Sequence, residues 1–343
     1  MIFILIVIII IIFLILSLKE KENFVIFRSR KMRNIYKKEG IKLNRNDHSI
    51  IQCKKKNAKI TCQKIFFKHP FPHTNAIESI KTTINKARNS KFLKENNIPV
   101  PRFLLLVNPI NEERLFRLHS SYKLRYPLVI KPVNGSKGRD VHLNINNFNK
   151  LFKTVKIVQN NNNNRAMIEE QTPGDNFRVL VVNNKVLDVV RRDLPYVVGD
   201  GKLSLIELIS SRNKKRISQK KYPTSVINLK LIYDQGNYTK KSIIPNGKKI
   251  YIASLASGHN GCDVKRIPLS KVHPQNLEMF SKINNILKLN ISGIDYIAND
   301  ISQPYNQDNH TVIEVNSDPG IKIHQIATPQ KDIHHLFIKT LFN

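Results

Sequence analysis

Lys131 ends a short apolar run, Leu128-Val129-Ile130, bounded by Pro127 and Pro132. A run of that kind reads as a buried strand. It delivers an ammonium group to a loop that carries Gly135, Ser136, Lys137 and Gly138. Glycines without Cβ let the backbone turn tightly and aim its N–H groups at an anion, so the loop could cover a phosphate. Taken alone it is equally an ordinary hairpin turn with a lysine before it. A second set lies near the C-terminus, with Asp295 in the segment 291–297, and Glu314 and Asn316 one residue apart among Val312, Ile313 and Val315. Side chains two apart on a strand share a face, so Glu314 and Asn316 can converge, and a carboxylate from a neighbouring strand completes an oxygen-only shell. Such a shell suits Mg2+ bridging nucleotide phosphates, with Lys86 and Lys131 neutralising the same phosphates from the other side. Either acid alone also fits a part-exposed strand end.

The elements that would position these groups are of both kinds. Apolar spacing over 74–96 is helical, as one helix or two, and stops at Ile98-Pro99-Val100-Pro101. Strands are expected at 103–107, 128–131, 141–143 and 166–171, with helices at 111–119 and 146–158. Segments 176–182 and 185–191 flank Asn183-Asn184 as a hairpin. A turn at Gly199-Asp200-Gly201 precedes a helical pattern over 203–210, and residues 212–221 read as a basic, mobile insert. A helix over about 274–289 and a strand pair around Tyr296 and Ile313 close the chain, giving an α+β fold with largely antiparallel sheet. Ahead of all this, 50–53 and 60–67 suggest a small hairpin or edge strands.

Residues 2–18 carry no charge and are almost all Ile, Leu, Val or Phe, near the lower limit for crossing a bilayer. No basic segment precedes them and no small-x-small cleavage site follows, so the expectation is an uncleaved transmembrane helix. The Lys and Arg residues from Lys19 to Lys38 place the rest of the chain on the cytosolic side. The expected organisation is an anchor at 1–18, a basic juxtamembrane tether at 19–48, a small N-terminal region at 49–101 and the main domain at 102–343. The 343 residues hold 57 Lys+Arg against 25 Asp+Glu, a formal charge of +32, which invites a polyanionic partner. The basic residues are scattered through a chain rich in Ile, Asn and Lys, a bias that gene base composition would produce, so no specific nucleic acid is expected. Three cysteines, Cys53, Cys62 and Cys262, show no CxxC spacing, which argues against a disulfide framework or zinc site and for a reducing compartment.

The order of motifs resembles the ATP-grasp ligases. Asn85-Lys86 precedes a helix ending in Ile-Pro-Val-Pro; Val-Ile-Lys-Pro leads to the glycine loop; Ile168-Glu169-Glu170 precedes a Pro-Gly turn; Gly293-Ile294-Asp295 and Glu314-Val315-Asn316-Ser317-Asp318-Pro319-Gly320 follow. Within that family the chain is most similar to the ATP-grasp part of cyanophycin synthetases, through Pro173-Gly174-Asp175-Asn176-Phe177-Arg178, Arg191-Arg192 and Pro319-Gly320-Ile321-Lys322-Ile323-His324. The resemblance implies two α+β subdomains clasping ATP. It implies that Lys86 and Lys131 hold the phosphates, Gly135 to Gly138 cover them, and Glu169 with the backbone of Glu170 and Gln171 reads adenine. Asp295, Glu314 and Asn316 would bind Mg2+ (or Mn2+), and Arg178 and Arg191 would face the γ-phosphate and the acceptor carboxylate. The implied chemistry is an acyl phosphate formed from a substrate carboxylate and ATP, then attacked by an amine to give an amide, with aspartate addition or an acidic peptide as the suggested substrate.

The chain departs from the pattern where Asn176 stands at the ribose acid, with Asp175 beside it, and at Ser254, His259 and Asn260 around the framework Ser257-Gly258 and Asp263. The Mur-ligase-like module of cyanophycin synthetases does not appear within these residues. His324, His334 and His335 read as structural or substrate-side, Cys262 as a packed thiol, and His259 as either loop structure or a base beside the acceptor. The resulting expectation is a membrane-anchored ligase, with a membrane-tethered ATP-binding regulatory module lacking ligase activity as the alternative. A homo-oligomer is compatible with either.

Overall fold

The structure, a computed structural model, describes residues 42–44, 49–56, 59–68, 71–72, 75–135, 138–218, 227, 238–306 and 310–342. The expected transmembrane helix at 2–18 and most of the tether lie outside the described residues, as do Ser136 and Lys137. Among the described residues no helix is long and apolar enough to cross a membrane.

The chain divides into two compact units, residues 1–74 with 332–343, and residues 75–331. The cut falls at 74/75, whereas the sequence placed a boundary at 101. In the first unit, strands β1 (Lys42–Asn44), β2 (Ser49–Lys56), β3 (Lys59–Lys68) and β4 (Phe71–Pro72) form an antiparallel sheet in that order. The same unit holds the C-terminal helix 333–342, whose Ile333, Phe337 and Ile338 are buried.

The second unit opens with two helices, α1 (Ile77–Ile84) and α2 (Lys86–Glu95). Asn85 separates them because its backbone is extended (φ −90°, ψ 106°) while its side chain accepts from the Arg88 N–H and caps α2. Next come β5 (Phe103–Leu106), α3 (Glu112–Ser121), β6 (Leu128–Lys131), β7 (His142–Ile145), α4 (Phe148–Asn161) and β8 (Ala166–Glu170). The strands pair antiparallel in the order β5-β8-β6-β7. Leu151, Val155 and Val158 recur at helical spacing on α4 and bury against Leu104, Leu128, Ile130 and Ile168. That packing commits one face of β6 to the core and leaves Val129 and Lys131 on the other.

A second antiparallel sheet has the order β13-β10-β9-β14-β15. Its strands are β9 (Asp175–Val182), β10 (Lys185–Asp193), β13 (Asp263–Ile267), β14 (Ile291–Ala298) and β15 (His310–Asn316). Phe177, Val179, Val181, Val189, Ile294 and Tyr296 form the apolar face, packed on Met279, Phe280 and Ile283 of α6 (Pro274–Ile286). Asn183 and Asn184, both at positive φ, make the tight turn between β9 and β10. Between β10 and β13 the chain forms a two-stranded ribbon, β11 (Tyr196–Val198) with β12 (Lys249–Tyr251). The ribbon packs on α5 (Leu205–Ser218) through Val197, Leu205, Ile209, Ile244 and Ile250.

Over 212–218 helix α5 corrects the reading of 212–221 as a mobile insert; residues 219–221 lie outside the described residues. Arg212 and Arg216, four apart on one helix face, both bond Asp263 of β13, and Arg216 is buried. Several helices end on a left-handed residue that is not glycine: Asn97, Lys123 and Lys288, just past α2, α3 and α6, have φ values of 57°, 49° and 52°, and Asn163 past α4 has 51°.

Candidate active site

Residues of both sheets of the second unit and of the β11–β12 ribbon line one cleft of about 1050 Å3. From the first sheet comes Lys131, at the end of β6, only 4% exposed, with its Nζ 2.6 Å from Oε2 of Glu169 on β8. Glu169 lies directly opposite Val129, so strand alternation puts both charged groups on the cleft face. Oε1 of Glu169 is buried without a hydrogen-bond partner. A buried orphaned acceptor at a cleft wall suits an incoming N–H donor, and the exocyclic amine of adenine is one.

Other expected nucleotide contacts are placed differently. The side chain of Glu170 takes the Arg125 N–H and lies near the guanidinium groups of Arg102 and Arg125. The N–H groups of Glu170 and Gln171 donate to the carbonyls of Arg102 and Pro127, and the Gln171 side chain bonds Asn144. These two N–H groups are therefore already used within the fold. Thr172 is the next residue on the cleft wall. Gly135, whose carbonyl accepts from Lys86 Nζ at 3.0 Å, and Gly138 bound the glycine loop. Gly138 has φ 70°, a left-handed conformation that favours glycine, and a Cβ there would displace the end of the Leu255 side chain.

From the second sheet comes a row of charges across three strands. Asp295 on β14 sits opposite Arg178 of β9 on one side and Glu314 of β15 on the other. Arg178 and Arg192 reach Oδ1 of Asp295 at 2.8 and 2.9 Å, and Asn316 Nδ2 lies 3.3 Å from its Oδ2. Glu314 Oε1 accepts from Lys86 Nζ at 2.8 Å. Burial pushes the Asp295 carboxyl upward, but the Arg178 and Arg192 guanidinium groups outweigh it and hold the group ionised below its usual range. Gly293, next in the row, leaves no room for a Cβ, which would stand 2.6 Å from Pro319 Cβ and 2.8 Å from Arg178 Nε.

The structure thus brings Lys86, Arg178, Asp295, Glu314 and Asn316 together. It does not bring Arg191 to them. Arg191 also lines the cleft, but Asp175 at 3.1 Å and Asp193 at 2.8 Å hold it at the end of β10, and Arg192 takes the place beside Asp295. Asn176 accepts from Arg192 Nε at 2.6 Å and so fixes that guanidinium. The sequence carried Arg192 in plain view; what it did not show was the bulge at Leu187 that sets the strand's parity, since Val186 pairs with Val181 but Asp188 pairs with Leu180. Lys249, Tyr196 and Tyr251 on the cleft wall were likewise not anticipated.

Two further residues are structural. His324 is wholly buried with Nδ1 2.8 Å from Asp188, which also accepts from Arg266, and burial holds the imidazole below its usual pKa. Cys262 is buried and its thiol is pushed up to about 11, so it is protonated and inert. Among the described residues no three His, Cys, Asp or Glu side chains cluster as a metal site. Two carboxylates and an amide, with waters completing the shell, do fit a hard cation such as Mg2+.

Residues 83–194 match the RimK-like ATP-grasp domain. The chain carries a RimK-like ATP-grasp domain over these residues. The match runs from the end of α1 through β10 and so takes in Lys86, Lys131, Glu169, Arg178 and Arg192. Over 266 residues this ATP-grasp chain is 28% identical to the cyanophycin synthetase of Synechocystis sp., covering 73% of this chain and 29% of that protein. Over 251 residues it is 30% identical to the glutathione biosynthesis bifunctional protein of Clostridium perfringens, covering 70% and 31%. The chain thus spans less than a third of the length of either relative. The crystal structure of a bifunctional glutathione synthetase from Pasteurella multocida shares the ATP-grasp fold, with a TM-score of 0.55 and 20% identity over 89% of this chain and 44% of that one. ATP-grasp ligases use ATP with Mg2+.

Proposed function

We propose that this chain is a carboxylate–amine ligase that uses ATP and Mg2+ to form an amide, of the kind found in cyanophycin and glutathione synthesis. The observation that carries the reading is the convergence of two buried lysines from different elements, Lys86 and Lys131, with the Arg178–Asp295–Arg192 row on one cleft. Lys131 and Lys86 meet the phosphates, and Glu169 offers Oε1 to the base. Asp295, Glu314 and Asn316 would hold Mg2+, which when bound offsets charge on the phosphates. Arg178 and Arg192 stand where a transferring phosphoryl group gains negative charge; they are fixed in advance by Asp295 and Asn176 and need no reorganisation.

In this reading a substrate carboxylate oxygen attacks the γ-phosphorus, the bond to the β,γ-bridging oxygen breaks, and ADP leaves. An amine then attacks the acyl carbon, phosphate departs and the amine proton passes to solvent. The chain forms no covalent bond to substrate and acts by alignment and fixed charge. Aspartate or an acidic peptide as substrate is supported by likeness to cyanophycin synthetase. Anchoring through residues 2–18, with the ligase on the cytosolic side, is supported by the apolar run and the basic residues after it.

Phosphate release by the full chain with Mg-ATP and pooled amino acids and short acidic peptides tests the reading. Substrate-dependent release that disappears in Glu314→Ala supports a ligase. ATP binding without any turnover favours an ATP-binding regulatory module, and failure to bind ATP overturns the site. Sedimentation of the chain with membranes, lost when residues 2–18 are deleted, tests the anchor.

A further inference from the structure

The cleft holds more positive charge than its own acids use. Among the described residues eight basic and six acidic side chains line it, and each of the six acids lies within ion-pairing distance of a base. Lys249 faces no carboxylate among the described residues. Its Nζ instead stands over two aromatic rings, 4.0 Å from the centroid of Tyr196 and 4.8 Å from that of Tyr251.

The arrangement is built into the ribbon. Tyr196 pairs directly with Tyr251 across β11 and β12, and Lys249 lies two residues from Tyr251, so all three share one face. The alternate residues, Val197 and Ile250, bury against α5 and fix which face that is. Arg212 stacks on Tyr196 as well, 4.4 Å from its centroid, but is tied to Asp263. A cation over an aromatic face is held in place by the ring quadrupole without being neutralised. Lys249, exposed at the cleft wall, therefore keeps its N–H donors for an incoming anion while its stem is flanked by the two rings. Tyr196 follows the end of β10 by three residues, so this wall starts where the strand bearing Arg192 ends. It continues outward to the exposed Val198 and Tyr251.

We propose that Lys249, framed by Tyr196 and Tyr251, binds a second carboxylate of the substrate, one that does not react, and so selects acidic, peptide-like substrates over neutral ones. The proposal rests on the ligase reading of this cleft and assigns to it a substrate class. The two tyrosine rings give an extended organic chain an apolar surface, and Lys249 gives it a charged stop.

The test is calorimetric titration of the full chain, with and without the non-hydrolysable analogue AMPPNP and Mg2+, using glutamyl-glutamate and glutaminyl-glutamine as probes. These dipeptides share both termini and differ in side-chain charge. The expected result is at least tenfold tighter binding of the charged dipeptide, a preference lost in Lys249→Gln and kept in Lys249→Arg, while both variants bind Mg-AMPPNP as the parent does. Equal or absent binding of the two dipeptides, or a preference that survives Lys249→Gln, overturns the proposal and leaves the ligase reading intact. Absent Mg-AMPPNP binding beside a Lys249-dependent preference would sink the ligase reading and keep the wall.

Discussion

Lys131 and Glu169 are 4% and 2% exposed, and each is tolerated in the interior because the other stands 2.6 Å away. Removing one partner leaves a charge buried without compensation, which costs about 3–5 kcal/mol, whereas replacing both by neutral groups of similar volume is often harmless. Lys131→Ala is therefore expected to lower the urea midpoint sharply, and Lys131→Met combined with Glu169→Gln to recover most of the loss. Both variants should lose nucleotide binding, so equilibrium unfolding and calorimetry on the same proteins separate stability from function. Asp295 differs: two guanidinium groups and Asn316 share it, so its charge survives loss of any single neighbour.

At the scale of elements, α5 depends on a contact that lies far along the chain. Arg212 and Arg216 reach Asp263 of β13 in part-buried pairs, and a hydrogen bond to a charged group contributes about 1.5–3 kcal/mol, toward the lower end where water reaches it. Arg216→Ala should destabilise by about that amount in urea unfolding. Native trypsin digestion followed by mass spectrometry should find no cleavage after Lys214 or Lys215 in the parent and cleavage there in the variant. The basic run 212–221 read as a mobile insert because the acid that Arg212 and Arg216 reach is tens of residues away, and no local pattern records that. Where the determinants were local the sequence was legible: the buried strand before Lys131, the Asn183-Asn184 turn, and the spacing of Glu314 and Asn316. The site's second arginine was not. An unbroken two-residue hairpin puts Arg191 on the face of Arg178, and the single extra residue at Leu187 reverses that parity and presents Arg192 instead. Asn85 was legible only as a choice between one helix and two, since the apolar spacing runs on across it while its extended backbone breaks the helix and its side chain caps the next.

For the whole molecule, the formal charge of +32 makes added positive charge unwelcome, and acid adds it at the histidines. Burial keeps His324 neutral in the fold, and His119 is shifted the same way. In the unfolded chain these imidazoles take up protons near a pH of about 6.5, so stability is full above that pH and falls as pH drops below it. The urea midpoint should fall between pH 7.5 and pH 5, and His324→Gln should flatten the fall. Asp295, held below its usual range, contributes the same sign only in stronger acid, below roughly pH 4. The left-handed residues after α2, α3 and α6 bear on the molecule in another way. A lysine at φ 52° crowds its Cβ against the backbone, at a cost of about 1–2 kcal/mol that glycine avoids, less about 0.5–1 for glycine's greater unfolded freedom. Lys288→Gly, at a residue that does not line the cleft, should raise the melting temperature by a few degrees in a thermal scan and leave nucleotide affinity untouched. The helix ends are thus an unspent margin for engineering: the protein can be hardened where its backbone is strained without touching the groups that would handle ATP.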